Sequence, residues 1–182
     1  VGDNNKVYAD HSLGYGAHNK VGAQRAIGTP EKDVVVDKNT NKASVFGLNN
    51  EVVGKNVFVA GNDNKITDTS TSNATVIGFG ATASSANATA IGTAATALAN
   101  ETVAIGQAAK ASGQNSNAYG SQANASGTSS LAVGTGSVAS GDSAVAIGND
   151  STVTGGSAVA IGASATSTGK WSTALGDSAN AK

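Results

Sequence analysis

Ser143-Ala144-Val145-Ala146-Ile147-Gly148 returns unchanged fourteen residues later as Ser157-Ala158-Val159-Ala160-Ile161-Gly162. The interval holds in both directions. A glycine preceded by an apolar residue stands at Gly78, Gly92, Gly106, Gly120, Gly134, Gly148, Gly162 and Gly176, always 14 residues apart. Upstream the frame continues in degenerate form through Gly61, Gly47, Gly28, Gly14 and Gly2, at intervals of 17, 14, 19, 14 and 12. A fixed period this short marks a solenoid, in which each repeat buries its surface only against its neighbours.

Aligned on the glycine, the columns alternate. The preceding residue is large: Ile77, Ile91, Ile105, Tyr119, Val133, Ile147, Ile161 and Leu175. Two before it stands Val76 and then alanine at every repeat, and three before stands Thr, Val, Asn or Leu. Alternation of large β-formers with small residues is the period-two pattern of a strand. After the glycine, the third and fifth positions are Ala, Ser or Val, which predicts a second short strand. A second glycine closes five repeats at Gly113, Gly127, Gly141, Gly155 and Gly169, and suits a tight turn of positive φ. Each repeat therefore reads strand, turn, strand, turn. About twelve such coils, stacked at the parallel-strand spacing of ~4.8 Å, make a rod roughly 58 Å long. The large column from Ile77 to Leu175 is assigned to the structural core, one Ile and two Ala inside each coil. Asparagines are expected to form hydrogen-bonded ladders at the coil corners.

Composition excludes the alternatives. With 34 Ala, 24 Gly and 18 Asn among 182 residues, and 4% aromatics, a monomer has little bulky material for a core. Gly and Asn spread throughout argue against helices, and one proline argues against collagen. No apolar run reaches the ~20 residues of a membrane span. The net charge of −1 offers no basic stripe, so no nucleic-acid partner and no membrane contact by this segment are expected. Cysteine is absent. No cofactor, metal site or catalytic constellation is expected; His11 and His18 lack a recognisable third ligand and read as surface side chains. The column three before the glycine has no home in one chain. Side-by-side packing of identical rods would bury it, so a homo-oligomer of cyclic symmetry is inferred.

Ser143–Gly148 and Ser157–Gly162, with the variants Asn87–Gly92 and Glu101–Gly106, resemble the head repeats of YadA-like trimeric autotransporter adhesins. The resemblance is strong over 71–182 and weaker over 1–70, where Asn4–Val7, Asn49–Val52 and Asn62–Ile66 carry it. It implies an all-β, left-handed parallel β-roll assembled as a homotrimer. It also implies a Gram-negative cell surface, virulence, and adhesion to a host matrix protein such as collagen or fibronectin, to a cell-surface receptor, or to other cells. The family's signal peptide, neck, stalk and membrane-anchor barrel are not in this chain, which reads as a piece of a longer protein. Anchoring in the outer membrane is expected through C-terminal regions beyond it.

Residues 1–70 read as degenerate head coils and 71–182 as regular repeats of one continuous head. The first part holds 16 of the 23 charged residues. An inserted loop or hairpin over 29–43 carries Glu31, Lys32, Asp33, Asp37, Lys38 and Lys42, the candidate ligand-binding residues. Val34–Val36 predicts a short strand and 37–41 a turn. Insertions in solenoids gather on one face and carry recognition, or merely cap neighbouring coils. The second insertion, Thr67–Asn73, reads as a flexible loop, and Trp171 with Lys170 as a contact or a packing residue. Against the adhesin head stand a passive spacer of a surface fibre and, remotely, an ice-binding solenoid. The last needs an unbroken threonine ladder, but the column four after the glycine is interrupted at Lys110, Asn124 and Val138.

Overall fold

The computed structural model describes residues 1–7, 12–21, 23–25, 34–36 and 42–182. Among these every regular element is a strand. All but the two strands Ala23–Arg25 and Val34–Val36 stack into two parallel sheets that face each other across the interior of a β-solenoid. The broad sheet has 11 strands, of five residues at Leu13–Ala17, Ser44–Leu48, Phe58–Asn62 and Thr75–Phe79, and of three from Thr89–Ile91 to Thr173–Leu175. The narrow sheet has 12 strands of two residues, from Lys6–Val7 to Asn180–Ala181. The chain alternates between sheets, so it makes eleven full coils preceded by a half coil. Register follows the sequence period, with Thr75, Val76 and Ile77 beside Thr89, Ala90 and Ile91, and so on to the last coil.

The alternation of columns is reproduced, but the core assignment is corrected. The interior holds the small columns, including Ala88, Ala90, Ala95 and Ala97, all fully buried. The large column faces outward: Ile77, Tyr119 and Ile161 are 36–38% exposed and Leu175 73%. Ile91, Ile105, Val133 and Ile147 are half-buried, flanked by the same column of adjacent coils. The reason is geometric. Successive side chains on a strand point to opposite faces, and the flat coil takes the smaller column inside, mostly alanine in the later coils and valine towards the N-terminus. Alanine facing alanine lets the two sheets approach; isoleucine there would force them apart.

The glycine frame also needs correction at both its ends. Upstream, the partner of Gly47 is Gly16, not Gly28, and Gly14 lies in the buried column beside Val45. Gly28 is outside the described residues. From Gly16 to Gly47 is 31 residues, 17 more than one coil. The second-glycine column does not adopt positive φ. It serves close approach: a Cβ on Gly127 would meet the carbonyl oxygen of Gly141 in the next coil, although Ala99 and Ser85 fill the same column two and three coils earlier. The left-handed conformation instead falls on non-glycine residues at both corners, such as Asn87 (φ 56°), Ala94 (φ 55°) and Ala108 (φ 53°).

Towards the N-terminus the interior is wider, with Val45, Val52, Val59 and Ile66 in place of alanine. One corner there is filled by a ladder of buried asparagines, Asn19, Asn50 and Asn64. Asn19 Nδ2 donates to Asn5 Oδ1 (3.0 Å), and Asn50 Nδ2 to Asn19 Oδ1 (2.8 Å). Each also donates to the glycine carbonyl of the following coil, Gly47 at 2.7 Å and Gly61 at 2.8 Å. Each Oδ1 accepts the next backbone N–H, ending at Ala81 N–H on Asn64 Oδ1 (2.9 Å). Buried amides are tolerated only when satisfied in this way. Where alanine takes over, the corner closes on itself, with Ala95 N–H donating to Gly92 O at 3.4 Å.

Candidate adhesive surface

A rod filled with alanine offers recognition only on its outside, and its outer faces differ. The broad sheet presents an apolar strip the length of the molecule. It includes Leu13, Tyr15, Phe58, Ile77, Phe79 and Ile161, all exposed large hydrophobics. At its N-terminal end aromatic rings stack along the strip, Tyr15 to Phe46 at 6.3 Å and Phe46 to Phe58 at 5.9 Å between centroids. β-branched and aromatic residues favour such cross-strand neighbours, which stabilise a pleated sheet. A continuous patch this long on a soluble surface marks an interaction face.

The narrow sheet is the polar wall. Its inward column is Val21, Val52, Ile66 and then Ala83 and its successors. Its outward column starts as a charged ladder, Lys6, Lys20, Glu51 and Lys65 in lateral register. It continues as Thr82, Thr96, Lys110, Asn124, Val138, Thr152 and Thr166. Opposite charges alternate across Lys20, Glu51 and Lys65, the arrangement that stabilises neighbouring strands. The sequence frame gives no sign of this ladder; the upstream register brings Lys20 beside Glu51. The threonine run is broken where expected, at Lys110, Asn124 and Val138.

Both insertions leave the rod at one corner, after a narrow-sheet strand and before the next broad-sheet strand. The longer one departs after Lys20–Val21 and returns at Ser44–Leu48. The strand expected at Val34–Val36 is present. Its partner, however, is Ala23–Arg25 upstream, antiparallel, with Gln24 beside Val35. The hairpin therefore opens before residue 29, and 37–41 is not the turn joining its strands. Glu31, Lys32, Asp33, Asp37 and Lys38 lie outside the described residues, as does His11. Lys42 is exposed where the chain re-enters the rod, with φ 57°.

The shorter insertion is a closed turn rather than an open loop. Asp68 Oδ1 accepts both the Ser70 N–H and the Ser70 hydroxyl, each at 2.8 Å. These two donors, backbone first, hold the Asp68 carboxyl below its ordinary value, against a small opposing effect of burial. Thr71 O then accepts the Lys55 N–H at 3.0 Å and ties the turn to the preceding coil. Further along the same corner, Trp171 is 71% exposed and left-handed (φ 61°). Lys170 Nζ lies 4.2 Å from its ring centroid, a cation–π contact. No group of three His, Asp or Glu side chains gathers among the described residues.

Compared with known families, the chain matches the model described as YadA head domain repeat (2 copies). The matches cover residues 72–95, 97–123, 111–137, 125–151 and 154–179. Together they span more than half of the 182 residues. No curated protein matches the chain.

Proposed function

Because the chain belongs to the YadA head domain repeat family, heads of trimeric autotransporter adhesins exposed at the cell surface, we propose that it attaches a bacterium to its host. The ligand class is a host surface protein: a matrix protein such as collagen or fibronectin, or a cell-surface receptor. Other cells are the alternative target. The solenoid heads of this family are typically non-enzymatic, and adhesion asks for surface rather than a pocket.

The observation that carries this reading is the division of the outer surface. The apolar strip runs along every coil of the broad sheet. An occupant must repeat at the same ~4.8 Å spacing over the whole rod, and another copy of this chain does. Three copies meeting on the strip form a homotrimer with that face inward. They leave the polar wall and the insertion corner outward, where a ligand reaches them. The hairpin corner, with Glu31, Lys32, Asp33, Asp37, Lys38 and Lys42, remains the proposed contact region. The native protein would be tethered to a Gram-negative outer membrane by regions beyond this chain.

A second reading holds for 71–182, where seven charged residues in 112 suit a spacer that lifts the corner away from the membrane. One pair of experiments separates the two. Light scattering after size exclusion is expected to give three times 17.5 kDa. The trimer is then tested on immobilised matrix proteins and host cells, intact and with residues 22–41 excised. Loss of binding on excision places the site at the corner. Unchanged binding moves it to the polar wall, and no binding by either form favours the spacer.

A further inference from the structure

From Thr75 to Leu175 the apolar strip is nearly degenerate: seven of its eight coils present Thr, Val or Leu three before the glycine and Ile, Val or Leu just before it. One coil breaks the pattern. Asn117 and Tyr119 sit side by side on the outer face, between Val103 and Ile105 on one flank and Leu131 and Val133 on the other. Tyr119 is 37% exposed and Asn117 half-buried. Within the chain their polar atoms are poorly served. Asn117 Nδ2 reaches only Asn115 O, at 3.4 Å, and neither Asn117 Oδ1 nor the Tyr119 hydroxyl has a hydrogen-bond partner among the described residues.

We infer that the Asn117–Tyr119 coil is a polar layer that, with the aromatic N-terminal end of the strip, fixes the axial register of the trimer by pairing with the same coil of the neighbouring copies. The inference rests on the trimer reading above. Rods with near-identical apolar coils can slide past one another by one coil with little loss of contact over 75–175. A slide would set Asn117 and Tyr119 of one chain against Leu131 and Val133, or Val103 and Ile105, of the next. The amide and hydroxyl would then be dehydrated without a partner, which costs more than a lost apolar contact gains. In register, each amide and hydroxyl meets groups of its own kind that both donate and accept. A single polar residue in an apolar seam fixes register in the same way in coiled coils, at some cost in stability.

The test is self-sorting of full-length chains. In one variant the layer is moved one coil along by Asn117→Val, Tyr119→Ile, Leu131→Asn and Val133→Tyr. In a second it is flattened by Asn117→Val and Tyr119→Ile alone. Each is unfolded with mass-tagged native chain, refolded, and assayed by native mass spectrometry. Sliding to realign a moved layer would set Phe58 against Thr75, so mixing stays unfavourable in either register. Mixed trimers are expected several-fold below random assortment for both variants, while two tagged native chains mix at random. The flattened variant alone is expected to melt higher than native. If the moved-layer chain fails to assemble, the flattened chain decides by the same measurement. Random assortment with native chain overturns the polar layer and leaves the trimer standing. Monomers throughout, native chain included, overturn both.

Discussion

Asn50→Ala should expose how the N-terminal coils are held. Its side chain is fully buried and makes three good hydrogen bonds. It donates to Asn19 Oδ1 and Gly61 O, both at 2.8 Å, and accepts from the Asn64 N–H at 3.1 Å. At a net ~1 kcal/mol each, their loss costs about 3 kcal/mol per chain. For a chain of this length that is a fall of about 6–12 °C in melting temperature. The measurement is circular dichroism on heating, native and variant at one chain concentration, since association shifts the midpoint. One relaxation opposes the loss. The groups left unpaired, Asn64 N–H and Gly61 O, stand three residues apart, like Ala95 N–H and Gly92 O in the coils where alanine replaces asparagine. If that corner closes, the two satisfy one another. A loss below ~1 kcal/mol would mean it does, and would refute the view that the ladder holds these coils together.

Gly127→Ala should destabilise by about 1–3 kcal/mol, because its Cβ meets the backbone carbonyl of Gly141 and the coils must shift there, as they do to accept Ala99 and Ser85 in the same column; a variant with unchanged denaturant midpoint would refute this. Ala108→Gly should act the other way. The residue is exposed at φ 53°, glycine already fills the equivalent corner at Gly80 and Gly136, and relief of left-handed strain should stabilise by about 0.5–1 kcal/mol, read as a higher guanidinium midpoint. The Asp68 turn should titrate late. Its folded carboxyl is held below the ordinary value, so the turn's contribution is complete above the unfolded pKa and is lost as pH falls through the lower folded one. The Ser70 amide resonance should therefore move with a midpoint below the ordinary aspartate value of ~3.9; a midpoint at or above it would contradict the two hydrogen bonds.

The period, the strands and the parallel stacking were legible in the sequence because identical residues recur at one interval and alternate in size. Which side of the alternation lies inside was not. Burial usually follows size, so Ile147 reads as core and Ala146 as filler. Here the small column, Ala146 among it, faces in, and Ile147 lies half-buried on the outer face. The corners were misread for a related reason. Glycine signals a left-handed turn only when nothing else adopts one, and here Ala94, Glu101 and Gln122 do so, held by the coils on either side. The upstream frame went astray at Gly14 because a glycine in an interior column looks like a glycine at a turn. The hairpin's upstream strand was missed because Ala23-Gln24-Arg25 has no β-forming signal; its pairing with Val34–Val36 exists only in three dimensions.

The direction of the hydrogen bonds has a mechanical consequence. Strands lie across the rod, so the bonds between coils run along it. A tug along the axis, such as flow exerts on a tethered cell, therefore stretches one coil's few bonds at a time instead of shearing a whole sheet at once. A single rod gripped at one end would unspool coil by coil, each step releasing 14 residues of slack. In the proposed trimer, fastening three rods along their apolar strips would convert that weak mode into a strong one, because no strand could peel away without first sliding against two neighbours.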